Sequence, residues 1–336
     1  MEKILTIGIP SYNAEKTLED CLNSLTVQET IDDIQIIVVN DGSKDKTSEI
    51  GHRFEEKYPN SVLVVDKENG GHGSGINTTI SYATGKYMKI VDADDAVDRE
   101  GFIDLVNNLK ETNAELVLSP YFTVNDGTKE FISYFRNQET LSKKEITVDE
   151  RFRNVRIAMH AMTYRTDVLK NSPYRIDEHC FYVDVEYSIY YLIYINSILL
   201  LDKPVYCYSI GDENQSINLK NMQKRIDQHT HVCKQMIRFF EKEKKDITNP
   251  VLLETIEENI VNMILIMEYR VIFSLPDLQD SKEKLLDMEG FLKNNSIQLY
   301  NKLIELGKTR KFKSIYFLSF LRKINYRFYT LLKRIV

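Results

Sequence analysis

Three carboxylates crowd the end of an apolar run in the stretch KIVDADDAVD, residues 89–98. Asp92, Asp94 and Asp95 repel one another unless solvent, buried hydrogen bonds or a cation offset their charge. Carboxylate oxygens suit Mg²⁺ or Mn²⁺, which proteins commonly hold with one or two carboxylates plus substrate phosphates. Alternate residues at a strand end point the same way, so Asp92 and Asp94 could share one cation, or one could bind a ribose hydroxyl. The other interpretation is a solvated turn before a helix that Asp98 caps.

Two further polar turns carry residues suited to ligand binding. In NDGS, residues 40–43, Asp41 can accept from a base N–H or a sugar hydroxyl, although this is also ordinary turn chemistry. The glycine-rich run ENGGHGSGIN, residues 68–77, could cradle a phosphate at a helix N-terminus. It is no P-loop, because no Gly-Lys-Ser/Thr follows it, and it fails the dinucleotide fingerprint, because Ile76 stands where the last glycine of G-x-G-x-x-G belongs. His72 suits either a structural hydrogen bond or a phosphate contact.

Alternating strand and helix patterns surround these turns. Short apolar, mostly β-branched runs predict strands over 4–9, 34–39, 61–65, 87–91, 115–124 and 156–164. Helical spacing predicts helices over 17–25, 47–58, 75–83 and 102–109, and Thr166-Asp167 could cap another. The alternation predicts an α/β fold with a mostly parallel sheet flanked by helices. Polar turns follow the first four strands, and ligands bind such sheets at the carboxyl ends of strands, so we expect one shared site.

The secondary-structure pattern and the composition change twice in the rest of the chain. Residues 126–220 mix strand and helix patterns, whereas residues 221–336 are rich in Lys, Glu, Leu and Ile and mostly helical. We therefore predict one domain over 1–220, with its first half at 1–125, and a helical C-terminal region.

Composition excludes several classes of protein. The 336 residues are 43% hydrophobic and 28% charged, as in a globular chain, and the net charge of −6 gives no argument for nucleic-acid binding. The four cysteines are widely spaced, which favours free thiols in a reducing cytosol over a disulfide framework or zinc site. We find no signal peptide and no stretch near the roughly 20 apolar residues of a spanning helix. We therefore expect a cytoplasmic protein.

In order and spacing, the four turns resemble family 2 glycosyltransferases with the GT-A fold. The matching segments are IPSYNAEKTLEDCLNSL, IQIIVVNDGSKDKT, ENGGHGSGINTTISYATGKYMKIVDADD and FYVDVEY. The resemblance covers residues 4–125 closely and 155–217 loosely. It implies a nucleotide-diphospho-sugar transferase fold with a nucleotide-sugar-binding half over 1–125, an acceptor half over 126–220 and a helical extension. It also implies an enzyme of bacterial cell-surface glycan synthesis with a nucleotide-sugar donor, usually a UDP-sugar.

The resemblance also implies a donor site, residue by residue. Pro10, Tyr12 and Asp41 would line the nucleobase pocket, with Asp41 accepting from the uracil N–H. Asp92 would lie near the ribose, and Asp94, with Asp92 beside it, would hold the Mg²⁺ or Mn²⁺ that bridges the two phosphates. The other donor-site residues that it implies are Asn13, Gly71, His72, Asn77 and Gln215.

This chain departs from the family pattern at two places in the donor pocket. The family commonly has an acidic pair at Asn40-Asp41, and it often has arginine where this chain has Ile76. The glycine-rich run would then donate backbone N–H groups to the diphosphate in place of that arginine.

The segment HCFYVDVEYSIYYL, residues 179–192, carries the carboxylates that the resemblance assigns to catalysis. Inverting members of the family place a catalytic carboxylate here, and Asp184 aligns best, with Val183 where glutamate is frequent. An inverting transfer needs a base that takes the acceptor hydroxyl's proton as its oxygen attacks the anomeric carbon. Glu186 is the rival base, and the non-catalytic alternative is that Asp184 caps a helix.

The C-terminal tail, residues 308–336, has nine Lys or Arg and no Asp or Glu, interleaved with aromatic and aliphatic residues. This pattern fits a helix lying on anionic lipid, and it also fits packing on the preceding helices or a homodimer contact. A lipid-linked acceptor would explain membrane docking, on the inner face of the cell membrane.

The resulting hypothesis is an inverting, metal-dependent transferase that moves a hexose from a UDP-sugar to a hydroxyl of a glycan or lipid-linked acceptor. One alternative is a sugar nucleotidyltransferase, which would need a glycine-rich basic loop where this chain has PSYNAEKT. The other is a nucleotide-sugar-binding protein without catalysis, which the carboxylates at 92, 94 and 184 argue against.

Overall fold

The computed structural model describes residues 2–134, 143–149, 152–153, 155, 157–211, 215–309, 311–326 and 329. The chain divides into two compact units, Met1–Asp212 and Glu213–Val336. The sequence-based division after residue 220 differs from this boundary by a few residues.

The strands of the first unit form two sheets. In chain order the strands are β1 (Leu5–Ser11), β2 (Ile34–Asp41), β3 (Val62–Lys67), β4 (Tyr87–Ile90), β5 (Ala96–Val97), β6 (Leu116–Leu118), β7 (Tyr121–Asn125), β8 (Thr128–Ile132), β9 (Lys144–Thr147), β10 (Met162–Arg165), β11 (Ser197–Leu200) and β12 (Tyr206–Ser209). The larger sheet has the order β3-β2-β1-β4-β10-β6-β11-β9, and the smaller one has the order β5-β12-β7-β8.

The first four strands run parallel, as the sequence predicts. β1 pairs with β2 and β4 in parallel register, and β2 pairs with β3 in the same way. Every residue of β1 is buried, including the polar Thr6 and Ser11, and α3 packs against this strand. β10 runs antiparallel between β4 and β6. The carboxyl ends of β1–β4 therefore meet at one edge, which confirms the predicted α/β fold.

The helices of the first unit lie close to their predicted positions. They are α1 (Leu18–Leu25), α2 (Thr47–Lys57), α3 (His72–Tyr82), α4 (Arg99–Glu111), α5 (Thr166–Lys170) and α6 (Asp184–Tyr190). Asp98 caps α4, accepting a hydrogen bond from the Gly101 N–H at 3.4 Å, as expected. Thr166 opens α5, but the residue at the N-cap is Arg165, whose side chain makes no capping hydrogen bond.

Three element boundaries differ from the sequence prediction. α3 begins at His72 and not at residue 75, so much of the glycine-rich run is helical. The predicted strand 115–124 is two strands, β6 and β7, because Pro120 lies between them and has no N–H to continue a ladder. The predicted strand 156–164 is strand only from Met162, after a 3₁₀ turn over Met159–Ala161, and residue 156 lies outside the described residues.

The second unit is helical in its described part, as predicted. Its helices are α7 (Leu219–Lys224), α8 (Ile226–Glu243), α9 (Pro250–Asn259), α10 (Ile266–Ser274), α11 (Leu278–Asn295), α12 (Ile297–Lys308) and α13 (Lys313–Lys323), with a π-helical segment over Ile260–Leu265. α13 buries Ile315, Leu318 and Leu321, so one face of the basic tail packs inside this unit. Within the described residues, every helix is too short or too polar to cross a bilayer.

Candidate active site

The turn after β1 is fastened to the turn after β2 by Asn13. Its backbone N–H donates to the Ser43 hydroxyl at 3.0 Å, and its side-chain oxygen accepts from the Lys44 N–H at 2.8 Å. Its φ of 51° is a left-handed conformation that asparagine tolerates. The neighbouring Tyr12 is 55% exposed, whereas Pro10 is buried in β1. Asn13 therefore joins two turns at this edge of the sheet, and the ring of Tyr12 is exposed beside it.

Asp41 fastens the end of β2 to the glycine-rich run. Its Oδ1 accepts from Lys67 Nζ at 3.0 Å and from the Gly70 N–H at 2.9 Å. Its Oδ2 accepts from the Gly71 N–H at 2.7 Å. A carboxylate that is 3% exposed requires such partners. The resemblance assigns Asp41 to a uracil and these amides to a diphosphate, but in this structure they bind each other. Sequence reasoning missed Lys67, whose only signal is its place at the end of β3.

The glycines of this run allow close packing. Gly71 has a φ of 83°, a conformation that side chains rarely adopt, and it is the N-cap of α3. A Cβ on Gly73 would lie 2.1 Å from the carbonyl oxygen of Asp177, and one on Gly75 would lie 2.7 Å from Pro10 Cβ. The glycines thus let α3 approach both β1 and the segment before α6.

His72 connects α3 to the acidic turn. Its Nε2 donates to Asp92 Oδ1 at 2.9 Å. Burial lowers the pKa of His72, but the hydrogen bond to Asp92 and the charges of the neighbouring carboxylates outweigh burial and raise it. Burial raises the pKa of Asp92, but the bond from His72 and its charge outweigh burial and lower it. The hydrogen bond therefore favours the charged form of each partner, an imidazolium and a carboxylate.

The acidic residues lie in a turn and not on an extended strand end. β4 ends at Ile90, and the Asp95 N–H donates to the carbonyl of Asp92 at 3.0 Å. The sequence prediction assumed that Asp92 and Asp94 are alternate residues of an extended strand end, and this assumption is wrong. Asp94 is exposed and the Asp92 side chain is 24% exposed, whereas Asp95 is buried. Asp92 and Asp94 are thus the more exposed carboxylates of the turn.

Hydrogen bonds hold Asp95 in place, but they do not offset the effects of burial and of the neighbouring charge of Asp92. This carboxylate accepts from the Tyr206 hydroxyl at 2.6 Å and from the Ser209 N–H at 2.7 Å. Burial, together with the charge of Asp92, raises the pKa of Asp95 to about 8, so it is largely protonated at neutral pH. The Tyr206 hydroxyl also accepts from the Asp92 N–H at 3.0 Å. Tyr206 therefore holds two residues of the turn.

A partly buried network that sequence reasoning missed supports Tyr206. The His160 ring lies 4.8 Å from the Tyr206 ring and 4.2 Å from the Tyr208 ring. Burial lowers the pKa of His160 to about 4, so the ring is neutral. Lys89 donates to the His160 and Met162 carbonyls, at 2.7 and 3.1 Å, and burial lowers its pKa to about 7. The only sequence signal was a lysine inside an apolar strand.

Two groups of residues could hold a metal ion among those described. The ligand atoms of Asp92, Asp95 and His160 lie within 4.8 Å of one another, which differs from the predicted pair Asp92 and Asp94. Asp95 is bound to Tyr206 and Ser209, and the neutral ring of His160 packs against tyrosines. Asp92 and Asp94 are the more exposed carboxylates of the turn, and carboxylate oxygens are ligands that fit Mg²⁺ or Mn²⁺.

The second group is His229, Cys233 and Glu268, which are buried in the second unit. Glu268 accepts from His229 Nδ1 at 2.6 Å and from the Thr230 hydroxyl at 2.5 Å. These bonds join α8 to α10 and provide Glu268 with the partners that a buried carboxylate requires.

Asp184 lies in the same electrostatic environment as the acidic turn. It is the first residue of α6, after Val183 at the N-cap, and it is partly exposed. Burial raises the pKa of Asp184, the charge of His72 opposes that shift, and the charge of Asp92 adds to it. The fold thus brings Asp184 near His72 and Asp92, which lie about 90 to 110 residues earlier in the chain.

Two other expected site residues, Asn77 and Gln215, are hydrogen-bonded to other parts of the chain. The side chain of Asn77 is bonded to the backbone of Ile176, through its oxygen at 3.0 Å and its amide at 2.8 Å. Gln215 belongs to the second unit, where its carbonyl accepts from Asn221 Nδ2 at 2.9 Å. The assignment of both to the donor site stays a prediction.

The chain matches a protein family and several known proteins over part of its length. The model of the family described as glycosyl transferase family 2 matches residues 6–172. The minor teichoic acid biosynthesis protein GgaB of Bacillus subtilis is 32% identical over 179 residues, covering 52% of this chain and 19% of that protein. The glycosyltransferase GlyG of Streptococcus pneumoniae is 32% identical over 151 residues, covering 45% and 49%. The matched region thus spans less than half of either relative.

Solved structures match over nearly the whole chain. TarS of S. aureus, residues 1–349, has a TM-score of 0.64 at 17% identity and covers 96% of this chain and 92% of its own. The same protein in complex with UDP-GlcNAc has a TM-score of 0.53 at 20% identity, over 85% of this chain and 89% of its own. A mannosyltransferase of Pyrobaculum calidifontis, in complex with GDP-Man and Mn2+, has a TM-score of 0.51 at 14% identity, over 100% and 87%. These likenesses establish the fold.

Proposed function

The chain belongs to glycosyl transferase family 2, and from that premise we propose that it moves a hexose from a UDP-sugar to an acceptor hydroxyl with inversion. The observation that carries this proposal is the grouping of Asp184, His72 and Asp92 at the carboxyl ends of the parallel strands, with the exposed Asp94 in the same turn as Asp92. A transfer with inversion needs one base beside the anomeric carbon and a site for the leaving diphosphate.

Asp184 is the proposed base. As the acceptor oxygen attacks the anomeric carbon, its proton passes to the Asp184 carboxylate, and the bond between the sugar and the β-phosphate breaks to release UDP. The pKa of Asp184, raised mainly by burial, makes it a better proton acceptor than an ordinary aspartate. Its partial exposure leaves it accessible to an acceptor.

Asp92 and Asp94 would hold a divalent cation, Mg²⁺ or Mn²⁺. When bound, the cation would offset the charge that develops on the departing diphosphate. The choice is supported by the exposed oxygen ligands and by the Mn2+ described in complex with the Pyrobaculum mannosyltransferase, which has the same fold. His72 orients Asp92, and the hydrogen bonds to Asp95 hold the turn in place.

A UDP-sugar is the proposed donor. TarS, which shares the fold, is described with UDP-GlcNAc and with UDP, whereas the Pyrobaculum enzyme is described with GDP-Man. The fold therefore accommodates either base. The proposed donor half is 1–125 and the proposed acceptor half is 126–220, with the exposed ring of Tyr12 available to pack on the nucleobase.

The proposed acceptor is a cell-surface glycan or its lipid-linked precursor. GgaB is named for teichoic acid biosynthesis, and another relative is a poly(ribitol-phosphate) beta-glucosyltransferase. We place the enzyme in the cytoplasm, peripheral on the inner face of the membrane, with the exposed side of α13 as the contact. Its exposed residues include Tyr316, Phe320 and the basic Lys313 and Lys323, a combination suited to anionic lipid.

The test is release of the nucleotide from a panel of UDP- and GDP-sugars with Mn²⁺, with and without EDTA. We expect turnover with one or more UDP-hexoses, loss of turnover with EDTA, and recovery when Mn²⁺ is added back. Turnover of GDP-sugars alone would contradict the choice of donor, and turnover that EDTA leaves unchanged would contradict the metal. The anomeric configuration of the product, read by NMR, decides between inversion and retention.

A further inference from the structure

We propose that Glu186 and Asn77 are positioning residues, which hold the segment 176–183 against α3 and so place Asp184, and that Glu186 is not the base. This inference rests on the proposed function, in which Asp184 takes the acceptor proton. The contacts of the two side chains with the segment carry it.

The side-chain amide of Asn77 pairs with the backbone at the start of the segment, as a neighbouring strand would. Its Oδ1 accepts from the Ile176 N–H at 3.0 Å, and its Nδ2 donates to the Ile176 carbonyl at 2.8 Å. The Asn77 amide also donates to Glu178 Oε1 at 3.3 Å. The Asn77 side chain thus binds both the N–H and the carbonyl of Ile176. This pair of bonds restrains the position and the rotation of the segment.

Glu186 binds the next residue of the segment from the other side. Its Oε2 accepts from the Asp177 N–H at 2.8 Å. Ile176 and Asp177 are therefore fixed by α3 and by α6 respectively, and Asp184 follows in the first turn of α6. The segment that leads into Asp184 is restrained at its start by both helices.

Further contacts make this arrangement tight. The Asp177 carbonyl lies so close to Gly73 that a Cβ there would be 2.1 Å from its oxygen. The His179 N–H donates to the Gly70 carbonyl at 2.5 Å. His179 and Tyr182 have φ values of 53° and 70°, which are uncommon for these residues and persist only where surrounding contacts impose them.

The two carboxylates of α6 face different environments. Glu186 is 0% exposed, whereas Asp184 is partly exposed. Two positions correspond to about 200° around a helix, so the side chains cannot point the same way. A base must come within hydrogen-bond distance of the acceptor hydroxyl, and an acceptor arrives from solvent. The buried Glu186 is therefore placed to hold the backbone of the segment, whereas Asp184 is placed where an acceptor can reach it.

α3 links this support to the acidic turn. His72, its first residue, holds Asp92, and Asn77 lies five residues further along the same helix. Because a helix rises about 1.5 Å per residue, the two anchoring points are separated by roughly 7.5 Å along a rigid axis. One element therefore sets the position of the proposed base relative to the proposed metal ligand Asp92.

The experiment compares Glu186→Gln, Glu186→Ala, Asn77→Ala and Asp184→Asn with the full-length wild type. Ser81→Ala is the matched control, since Ser81 is an exposed polar residue of the same helix whose hydroxyl bonds within α3. The measurements are transfer rate against pH, UDP affinity, and amide hydrogen exchange of residues 176–183.

Glutamine keeps an oxygen that can accept from the Asp177 N–H, so Glu186→Gln should retain kcat within about threefold, whereas Asp184→Asn should lose transfer and keep UDP binding. Glu186→Ala and Asn77→Ala should lower kcat by about 10- to 100-fold, the usual effect of a small misplacement. Glu186→Ala should leave UDP affinity unchanged. Both variants should leave the pH midpoint of kcat unchanged and should speed exchange in 176–183.

Loss of transfer in Glu186→Gln equal to that in Asp184→Asn would overturn the inference and make Glu186 the base. Unchanged hydrogen exchange of 176–183 in both alanine variants would overturn it as well. A wild-type protein that transfers no sugar would instead contradict the proposed function, and the exchange measurement would still decide whether the two residues hold the segment.

Discussion

The imidazole of His72 donates to Asp92, with 2.9 Å between Nε2 and Oδ1, and so joins the start of α3 to the acidic turn after β4. The two residues come from successive turns of the sheet edge, and this bond sets the direction of the carboxylate that faces the proposed donor site. The glycine-rich run therefore supplies both this side chain and the backbone N–H groups of Gly70 and Gly71 that donate to Asp41.

We expect His72→Ala to weaken metal binding because Asp92 loses the group that orients it. Loss of such an orienting partner typically costs about 10- to 100-fold in metal affinity. The Mn²⁺ concentration for half-maximal transfer should rise by that factor. His52→Ala is the control, since His52 is also bonded to two carboxylates, Glu55 and Asp66, but on α2. An equal rise in both variants would contradict the prediction.

Asp94→Ala should abolish metal-dependent transfer, because the exposed carboxylate of the turn is removed. Its control is Asp98→Ala, which removes a nearby carboxylate that caps α4. The control should cost about 1 kcal/mol of stability, as loss of a cap does, and should leave the Mn²⁺ dependence unchanged. Mn²⁺ titrations of transfer and of protein melting distinguish the two. Wild-type turnover in Asp94→Ala would rule out its role as a ligand.

Gly73→Ala should destabilise the first unit, because the new methyl group would meet the Asp177 carbonyl at 2.1 Å. Forced overpacking of this kind costs about 1–3 kcal/mol. Gly290→Ala is the matched control in α11, where a Cβ would meet no atom within 4 Å, and it should stabilise its helix by about 0.5–1 kcal/mol. Calorimetry measures both shifts, and a neutral Gly73→Ala would show that the segment 176–183 moves without cost.

Glu186 predicts a pH dependence of stability. Burial raises its pKa to about 8, above the ordinary value of 4.5, so the folded protein holds a proton that the unfolded chain releases. Stability from this group is full below about pH 4.5 and falls as the pH rises towards 8, by at most about 1.4 kcal/mol per pH unit. Glu186→Gln cannot titrate and should lose this slope. Unfolding free energies of both proteins at pH 5.5 and 7.5 provide the measurement, and equal slopes would contradict it.

The exposed side of α13 should bind anionic lipid. Truncation at residue 308 is a poor test, since it removes buried packing residues of α13 such as Leu318. The double substitution Tyr316→Ser and Phe320→Ser changes residues that are 42% and 45% exposed and leaves the buried face intact. It should reduce sedimentation with phosphatidylglycerol vesicles. Ile297→Ser, also exposed in this unit, is the control. Equal binding by all three proteins would reject this contact.

Much of the first unit follows from local patterns. Continuous apolar runs place β1 to β4, and the spacing of Leu18, Cys21, Leu22 and Leu25 places the buried face of α1. The order of the polar turns places the site at one sheet edge. Such signals are readable because burial on both faces of a sheet or on one face of a helix imposes a period on neighbouring residues.

The partners within the site came from contacts between distant parts of the chain. The Tyr206 hydroxyl and the Asp92 N–H are 114 positions apart, and Asn77 and Ile176 are 99 apart. The sequence alone determined the fold class, the four polar turns and the carboxylates on them, because periodicity and turn chemistry are local. Only the tertiary structure decided which carboxylate is open, which is buried and which glycine makes room for a neighbour, because burial and long-range hydrogen bonds depend on how all the elements pack.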